Sequence, residues 1–401
     1  MSRFALAVLV IASLRLTPLM GATPEKPLNV RDFGATGDGT TNDTAAVQRA
    51  IDALPREGGG VLTFPKGTYL VTSVKLIAGA TYRGEEGAVV KRPAKLGKWD
   101  RTFVCHYSGD HDSQPLVVRD LTFDGNSEEQ GPYRRFELEQ AHLVFLAGDR
   151  KKPGRLNALV ENCRFINGVA DGISVYTNVN AKVRNCEATD VFRGGFVLTG
   201  GNSTADVDGL TTGGNRCGTG IDIEVDGKGY GGTLKVEVNL RNLKLLKGDF
   251  DVGVSDGSVV TGENITAGAP FYIYSRQSKM HFKRCSFEIG ACDGYLNRIC
   301  VPWDVRFEDC EFTLTRKVPG RHPFSFFAVA DVFWNFSWLP PLRHQRLTFD
   351  RCRFGVDKTI KPEDVTYVVY ERGGGKDDDN VVTLTDCQIA PGFTKHRHPA
   401  P

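Results

Sequence analysis

The sequence predicts an all-β fold, a parallel β-helix whose coils run to 20–25 residues. The first observation behind this is a four-residue phrase that returns along the chain. It reads Val160-Glu161-Asn162-Cys163, Val183-Arg184-Asn185-Cys186, Phe282-Lys283-Arg284-Cys285, Phe307-Glu308-Asp309-Cys310, Phe349-Asp350-Arg351-Cys352 and Leu384-Thr385-Asp386-Cys387. Leu121, Leu210 and Leu243 take the fourth place in three further copies, and Ile265 in a looser one. The second observation is spacing. The shorter steps between fourth positions are 23, 24, 22, 20 and 25 residues, and a recurring period in this range marks a solenoid. The third is alternation: Ile173 and Val175 alternate with Ser174 and Tyr176, the period of a half-buried strand. So short a unit cannot bury its own apolar residues, whereas stacked copies bury a continuous column. The alternative, a β-sandwich, does not repeat one residue type at one phase.

Each element follows from this. The fourth positions form an inward ladder of Cys and Leu. Longer steps of 42, 33, 42 and 35 residues are coils with outward loops, or two coils with one marker lost. Six of the ten cysteines sit at the ladder phase and are read as stacked free thiols. Cys292 and Cys300 share a loop and are best placed for a disulfide, and no Cys/His set has zinc-ligand spacing. Residues 1–22 carry Arg3 and an apolar run from Phe4 to Leu14, the pattern of a signal peptide. The expected location is therefore secreted, extracellular or periplasmic. A single β-helix domain is expected over 23–390 and a disordered tail over 391–401. The net charge of +2 balances 50 basic against 48 acidic residues. That balance gives no global field toward nucleic acid or, beyond the signal peptide, a membrane. No Gly-rich loop opens a helix as a nucleotide site would require. The oligomeric state is left open.

An open solenoid end needs a cap. Asp43 is a plausible N-cap, followed by Val47, Ala50, Ile51 and Leu54 on one helical face, and Pro55 and Gly58-Gly59-Gly60 end the helix. The stretch from Asn29 to Thr44, with Gly-Gly-Val-Leu-Thr-Phe-Pro-Lys-Gly-Thr-Tyr ending at Tyr69, resembles the N-terminal signature of the pectate-lyase-like superfamily. This group includes polygalacturonase-related hydrolases and the pectate-lyase-3 type domain. The resemblance implies a right-handed parallel β-helix with an N-terminal capping helix, and usually a carbohydrate ligand. It does not fix the reaction. The Asn-Thr-Asp, Gly-His-Gly and Arg-Ile-Lys motifs of polygalacturonases are missing, as are Trp-Ile-Asp-His and Arg-x-Pro-x-x-Arg of pectate lyases. The one run of adjacent aspartates, Asp377-Asp378-Asp379, lies in a Gly-rich loop near the C-terminus.

A candidate site comes from aligning second strands. Gly172-Ile173-Ser174-Val175-Tyr176 matches Gly195-Phe196-Val197-Leu198-Thr199 and Gly220-Ile221-Asp222-Ile223-Glu224. With Ile173, Phe196 and Ile221 inward, Ser174, Val197 and Asp222 face out at one level and Tyr176, Thr199 and Glu224 at the next. Asp222 and Glu224 then share one exposed face about 6.6 Å apart. Like charges that close invite a raised pKa on one or a cation between them. The alternative is a solvated polar strand face. Expected catalytic residues are Asp222, Glu224 and Lys228; expected substrate-binding residues are Arg193, Arg216, Tyr176, Tyr272, Tyr274 and Arg276, with Asp251 and Arg298 nearby. Asp222-x-Glu224 with Lys228 resembles the acidic pair and lysine of the chondroitinase B and alginate lyase type of β-helix, with a spacing one residue shorter. That resemblance implies Ca²⁺ held by the acids and a lysine base, so Ca²⁺ is a cofactor only if the protein is a lyase.

Other polar residues read as structural. Asp171 and Asp293 recur in Asp-Gly turns, and His106, His111 and His142 carry no motif. Arg193 either binds a sugar carboxylate or caps a turn. The aromatic run from Phe324 to Trp338 reads as packing over the solenoid. The functional expectation is a polysaccharide-active enzyme, a lyase or glycoside hydrolase, on an acidic polymer such as a pectin-like or uronate chain. The alternative is a non-catalytic carbohydrate-binding or surface protein.

Overall fold

The computed structural model describes residues 26–397, apart from 57–58, 131–136, 226–234, 255–256, 269–270, 276–277, 291–297, 301–303, 317–324, 331–345, 359–366, 373–380 and 392–393. In several C-terminal strands, and at Tyr272, Tyr274 and Arg298, only the backbone is placed.

The strands stack as a parallel β-helix. One sheet of 24 strands folds at a corner, and a second of 12 strands faces it. The second sheet holds, in stacking order, Val74–Lys75, Phe103–Tyr107, Val144–Gly148, Ile173–Val175, Gly194–Leu198, Thr219–Val225 and Asp249–Val254, and continues to Thr394–Arg397. The last strand pairs with Tyr367–Arg372 through Tyr367↔Thr394 and Val369↔His396. The tail expected to be disordered therefore contributes a strand, because an edge of the growing sheet offers it unpaired backbone groups.

The marker ladder stands at the corner of the larger sheet. Cys163, Cys186, Cys285, Cys310 and Cys352 are buried, as are Leu121, Leu210, Leu243 and Ile265. Cys387, in the last coil with this corner, is half-buried. All six ladder cysteines are thiols rather than disulfide sulfurs. Each donates to the carbonyl two residues back, as Cys163 does to Glu161 at 3.3 Å and Cys310 to Glu308 at 3.3 Å. Most also reach a carbonyl of the preceding coil, as Cys352 does to Phe307 at 3.5 Å. A small thiol thus fills the column and serves corner carbonyls that a Leu leaves to other donors. The proposed Cys292–Cys300 disulfide lies outside the described side chains.

The residue before each marker turns the corner. Asp120, Asn162, Asn185, Asn242, Asn264, Arg284, Asp309, Arg351 and Asp386 all have φ between 50° and 57°, and Gly209 has 79°. Asn, Asp and Gly tolerate this left-handed conformation best, which explains the third letter of the repeated phrase. Inside the coils, Phe282, Phe307 and Phe349 stack at centroid distances of 5.3 Å, and Phe287, Phe312 and Phe354 at 5.5 and 5.2 Å.

The long steps are single coils with outward loops. Strands on either side of each step pair directly, through Val160↔Val118, Leu240↔Val207, Phe349↔Phe307 and Leu384↔Phe349. No coil lies between them. At the first of these steps the described extra residues, 137–143 and 149–155, flank Val144–Gly148 of the 12-strand sheet. Where strands break at the marker corner, only two residues intervene, as with Asn162-Cys163 between Glu161 and Arg164.

The expected helix spans Thr44–Asp52 and buries Ala46, Val47, Ala50 and Ile51. Asp43 sits at its N-cap but makes no capping bond. Its carboxylate instead accepts from the backbone N–H groups of Thr36 at 2.7 Å and Gly37 at 3.1 Å. The preceding turn offers these donors closer than the helix does.

Candidate functional site

Strand register fixes what faces outward on the 12-strand sheet. Ser174, Val197, Asp222 and Asp251 are aligned partners, with Phe145 before them and Tyr272 after. Glu224 lies two residues beyond Asp222 on Thr219–Val225 and pairs with Gly253. Both acids therefore project from one face, as the alternation predicts, but that face is not exposed at Asp222: Ser174, Val197 and Asp222 are all buried there.

The cation beside them is Arg193. Its guanidinium reaches Glu224 Oε2 at 3.1 Å and Asp171 Oδ2 at 3.4 Å. The next residue, Gly194, is tightly enclosed: a Cβ there would meet Val197 Cγ2 at 2.4 Å and Asp171 Oδ1 at 3.3 Å, so a larger residue would force a neighbour to shift. Burial works against the charge on Arg193, but Asp171, Asp222 and Glu224 outweigh it and raise its pKa.

Asp171 is fully buried, and its Oδ2 also lies 2.8 Å from His142 Nδ1. His142, 2% exposed, stacks on Phe145 with centroids 5.6 Å apart and planes 13° from parallel. The sequence reading of Asp171 as a turn residue and His142 as structural stands, and the structure adds that the two are buried against each other. Neither falls in a strand, so no alternation signalled its direction. The Asp-Gly pair at 171–172 looked like ordinary turn chemistry.

Asp222 is 5% exposed, and its Oδ1 accepts no hydrogen bond among the described residues. Burial pushes its pKa well above the usual carboxylate range; the charges of Glu224 and Asp251 add to this, and Arg193 opposes it. The arrangement is a shielded carboxyl driven toward its neutral form beside a carboxylate in contact with a guanidinium.

The other expected residues divide. Tyr176 stands at the level of Glu224, two strands away, and its hydroxyl accepts from Arg150 at 2.9 Å. Tyr272 and Tyr274 lie on Phe271–Ser275, paired with Asp251 and Gly253. Arg216 is exposed, and its backbone N–H donates to Asp190 Oδ1 at 3.0 Å; its side chain makes no ion pair among the described residues. Lys228, Arg276, Asp293 and Asp377-Asp378-Asp379 lie outside the described residues. So does most of the aromatic run from Phe324 to Trp338, apart from the strand Ser325–Ala330.

A Ca²⁺ ion needs six to eight oxygen ligands. Among the described residues no group of three or more metal-ligating side chains converges, and Arg193 already brings a fixed positive charge to Glu224. The described donors therefore do not fit Ca²⁺ at this position.

A family model described as rhamnogalacturonase A/epimerase, pectate lyase-like, matches residues 28–89. The fold and this match agree. The match covers 62 of the 401 residues and supports a pectate-lyase-like parallel β-helix. Alginate lyase 7 of Azotobacter vinelandii is 30% identical over 186 residues, 42% of this chain and 20% of that protein. This pectate-lyase-like chain thus spans one fifth of that relative's length. Among solved structures, the A-module of the A. vinelandii mannuronan C-5 epimerase AlgE4 superposes with a TM-score of 0.52 at 16% identity, over 92% of this chain and 99% of that one. The Streptococcus pneumoniae surface adhesin PfbA superposes with a TM-score of 0.54 at 15% identity, over 93% of both chains. At these identities the superpositions speak for the fold.

Proposed function

We propose that the protein is an exported enzyme that cleaves an acidic polysaccharide lying along the 12-strand sheet. The observation that carries this is the division between Asp222 and Glu224. One is buried with its pKa raised, and the other is held against Arg193. Two neighbouring carboxyl groups whose environments differ in this way suit an acid and its charged partner. Asp222 gives its proton to the glycosidic oxygen as the C–O bond breaks. In hydrolysis, water activated by Glu224 attacks the sugar carbon. In elimination, a base takes the C5 proton, the electron pair forms the C4–C5 double bond, and the departing chain keeps the proton from Asp222. Arg193 faces the carboxylate of a uronate in either case. The similarity to an alginate lyase supports the substrate class, and the apolar run of residues 4–14 supports export.

The near-complete burial of Asp222 favours a second reading, a glycan-binding surface protein without turnover. A panel of uronate polymers tests both. New ultraviolet absorbance from a 4,5-unsaturated product means elimination, and new reducing ends without it mean hydrolysis. Glycan binding with no product on any polymer overturns the enzymatic reading.

A further inference from the structure

The same sheet carries a second cluster, four strand steps before Glu224. Arg101 lies two residues before the start of the strand Phe103–Tyr107. Its guanidinium lies 3.6 Å from the ring centroid of Phe145 and 5.7 Å from that of Trp99, and its Nε donates to the Gln140 carbonyl at 3.3 Å. It makes no ion pair among the described residues, although it is half-buried and desolvation lowers its pKa. Most other partly buried arginines here have a carboxylate: Arg184 has Asp206, Arg193 has Asp171, and Arg241 has Asp208. Trp99 beside it is 66% exposed, the most exposed of the large apolar side chains described. His106, on the outer side of the same strand, has its pKa lowered by partial burial and by the charges of Arg101 and Lys75.

This cluster joins the acid centre without a gap. Arg101 lies on Phe145, Phe145 on His142, His142 against Asp171, Asp171 against Arg193, and Arg193 against Glu224. Coils stack at about 4.8 Å, so the line runs roughly 19 Å across the strands. An extended polysaccharide laid across the strands would meet both ends.

We propose that Arg101 and Trp99 form a distal saccharide subsite that takes the anionic group of an acidic sugar on the guanidinium and the sugar ring on the indole. The inference rests on the reading of this sheet as a polysaccharide groove. The chemistry is specific. A partly desolvated guanidinium without a protein anion gains a charge-assisted, bidentate bond from a carboxylate or sulfate. An exposed indole presents an apolar face to the C–H face of a pyranose.

The test is calorimetric titration of the full chain with oligogalacturonate, oligomannuronate and a sulfated oligosaccharide, with neutral dextran oligomers as control. The expected result is that at least one anionic oligomer binds and dextran does not; the carboxylate and sulfate arms tell which anion is taken. Arg101→Gln and, independently, Trp99→Ala should each weaken binding tenfold or more, while Glu311→Gln, at an exposed ion pair with Arg353 on the other sheet, keeps it. Trp99 is exposed enough that its variant should fold even if the Arg101 variant does not. Wild-type affinity in a folded Trp99→Ala, dextran binding as tight as that of the anions, or no binding by any oligomer would overturn the subsite. Absence of turnover with Arg101-dependent binding intact would sink the enzymatic reading alone. Turnover in which Arg101→Gln leaves KM unchanged would sink the subsite alone.

Discussion

His142 Nδ1 and Asp171 Oδ2 lie 2.8 Å apart with both side chains shut off from solvent. Asp171 thereby answers two groups, since Arg193 approaches the same oxygen from the next coil. Asp171→Ala would leave Arg193 with one carboxylate fewer in a buried setting. Losing one partner of a buried pair costs about 3–5 kcal/mol. The denaturant midpoint should fall accordingly, whereas Asp110→Ala, at an exposed ion pair with Lys152, should change it by less than about 1 kcal/mol. Equal midpoints for the two variants would remove Asp171 from its central place.

Asp222 should make stability depend on pH in an unusual direction. Its folded pKa is raised by burial and by Glu224 and Asp251. Above the unfolded value of about 3.9 the unfolded chain therefore holds fewer protons here than the folded one, and this group's contribution to stability falls as pH rises. The loss continues up to the folded pKa and then levels off. Asp222→Asn should raise the unfolding midpoint near neutral pH, with a gain that shrinks toward pH 4. The same variant should lower turnover by roughly 10²–10⁴-fold, the usual effect of removing a general acid. A destabilised Asp222→Asn protein with full activity would contradict both statements.

Gly194 gives a steric test of how Arg193 is delivered. Gly194→Ala should lower activity by displacing Arg193, because the new Cβ meets Val197 Cγ2 at 2.4 Å. Adding Val197→Ala removes that methyl and should restore activity in part. An inactive double variant with wild-type stability would mean that Gly194 serves something other than clearance.

Sequence reasoning reached some of these residues and missed others for a physical reason. Asp222 and Glu224 sit inside a strand, where alternation dictates direction, and the aligned second strands gave their facing correctly. Arg193 is legible as a candidate for a sugar carboxylate from its place before Gly194-Gly195, whereas Asp171 occupies the turn before a strand, where the backbone leaves its period and no local rule says which way a side chain leans. Arg101 and Trp99 lie in a loop whose position depends on the coil stacked next to it. The ladder was legible because one phase repeats one residue type. Its left-handed corner was visible too, in the Asn, Asp or Gly before most markers, although Arg284 and Arg351 at that place hide the rule.

That corner sets a fourth expectation. Asn185, at φ 50°, should tolerate Gly with little change. Asn185→Val should lose about 1–2 kcal/mol, the cost of left-handed backbone for a residue with a bulky Cβ. Thermal unfolding of the two variants distinguishes this from a role for the amide itself, which would penalise both.

Two of the ladder thiols, Cys163 and Cys186, should be chemically silent in the native protein. Burial pushes Cys186 up to about 11 and Cys163 well above the usual thiol range, and the thiolate is the reactive form. Thiol reagents at neutral pH should label Cys163 and Cys186 only after denaturation. Cys186→Asp, which puts a charge into the column, should destabilise far more than Cys186→Val. Rapid labelling of either cysteine in the native state would place it outside the core.

The two-residue corner and the long loops lie on different parts of each coil. The corner holds its length from strand to strand, while residues 137–143 and 149–155 enter beside Val144–Gly148 of the 12-strand sheet. Such a chain keeps its inheritance and its experimentation apart. Insertions at the rim can redraw what touches a ligand, and the stacking rule, written at the far edge, goes on being copied unchanged.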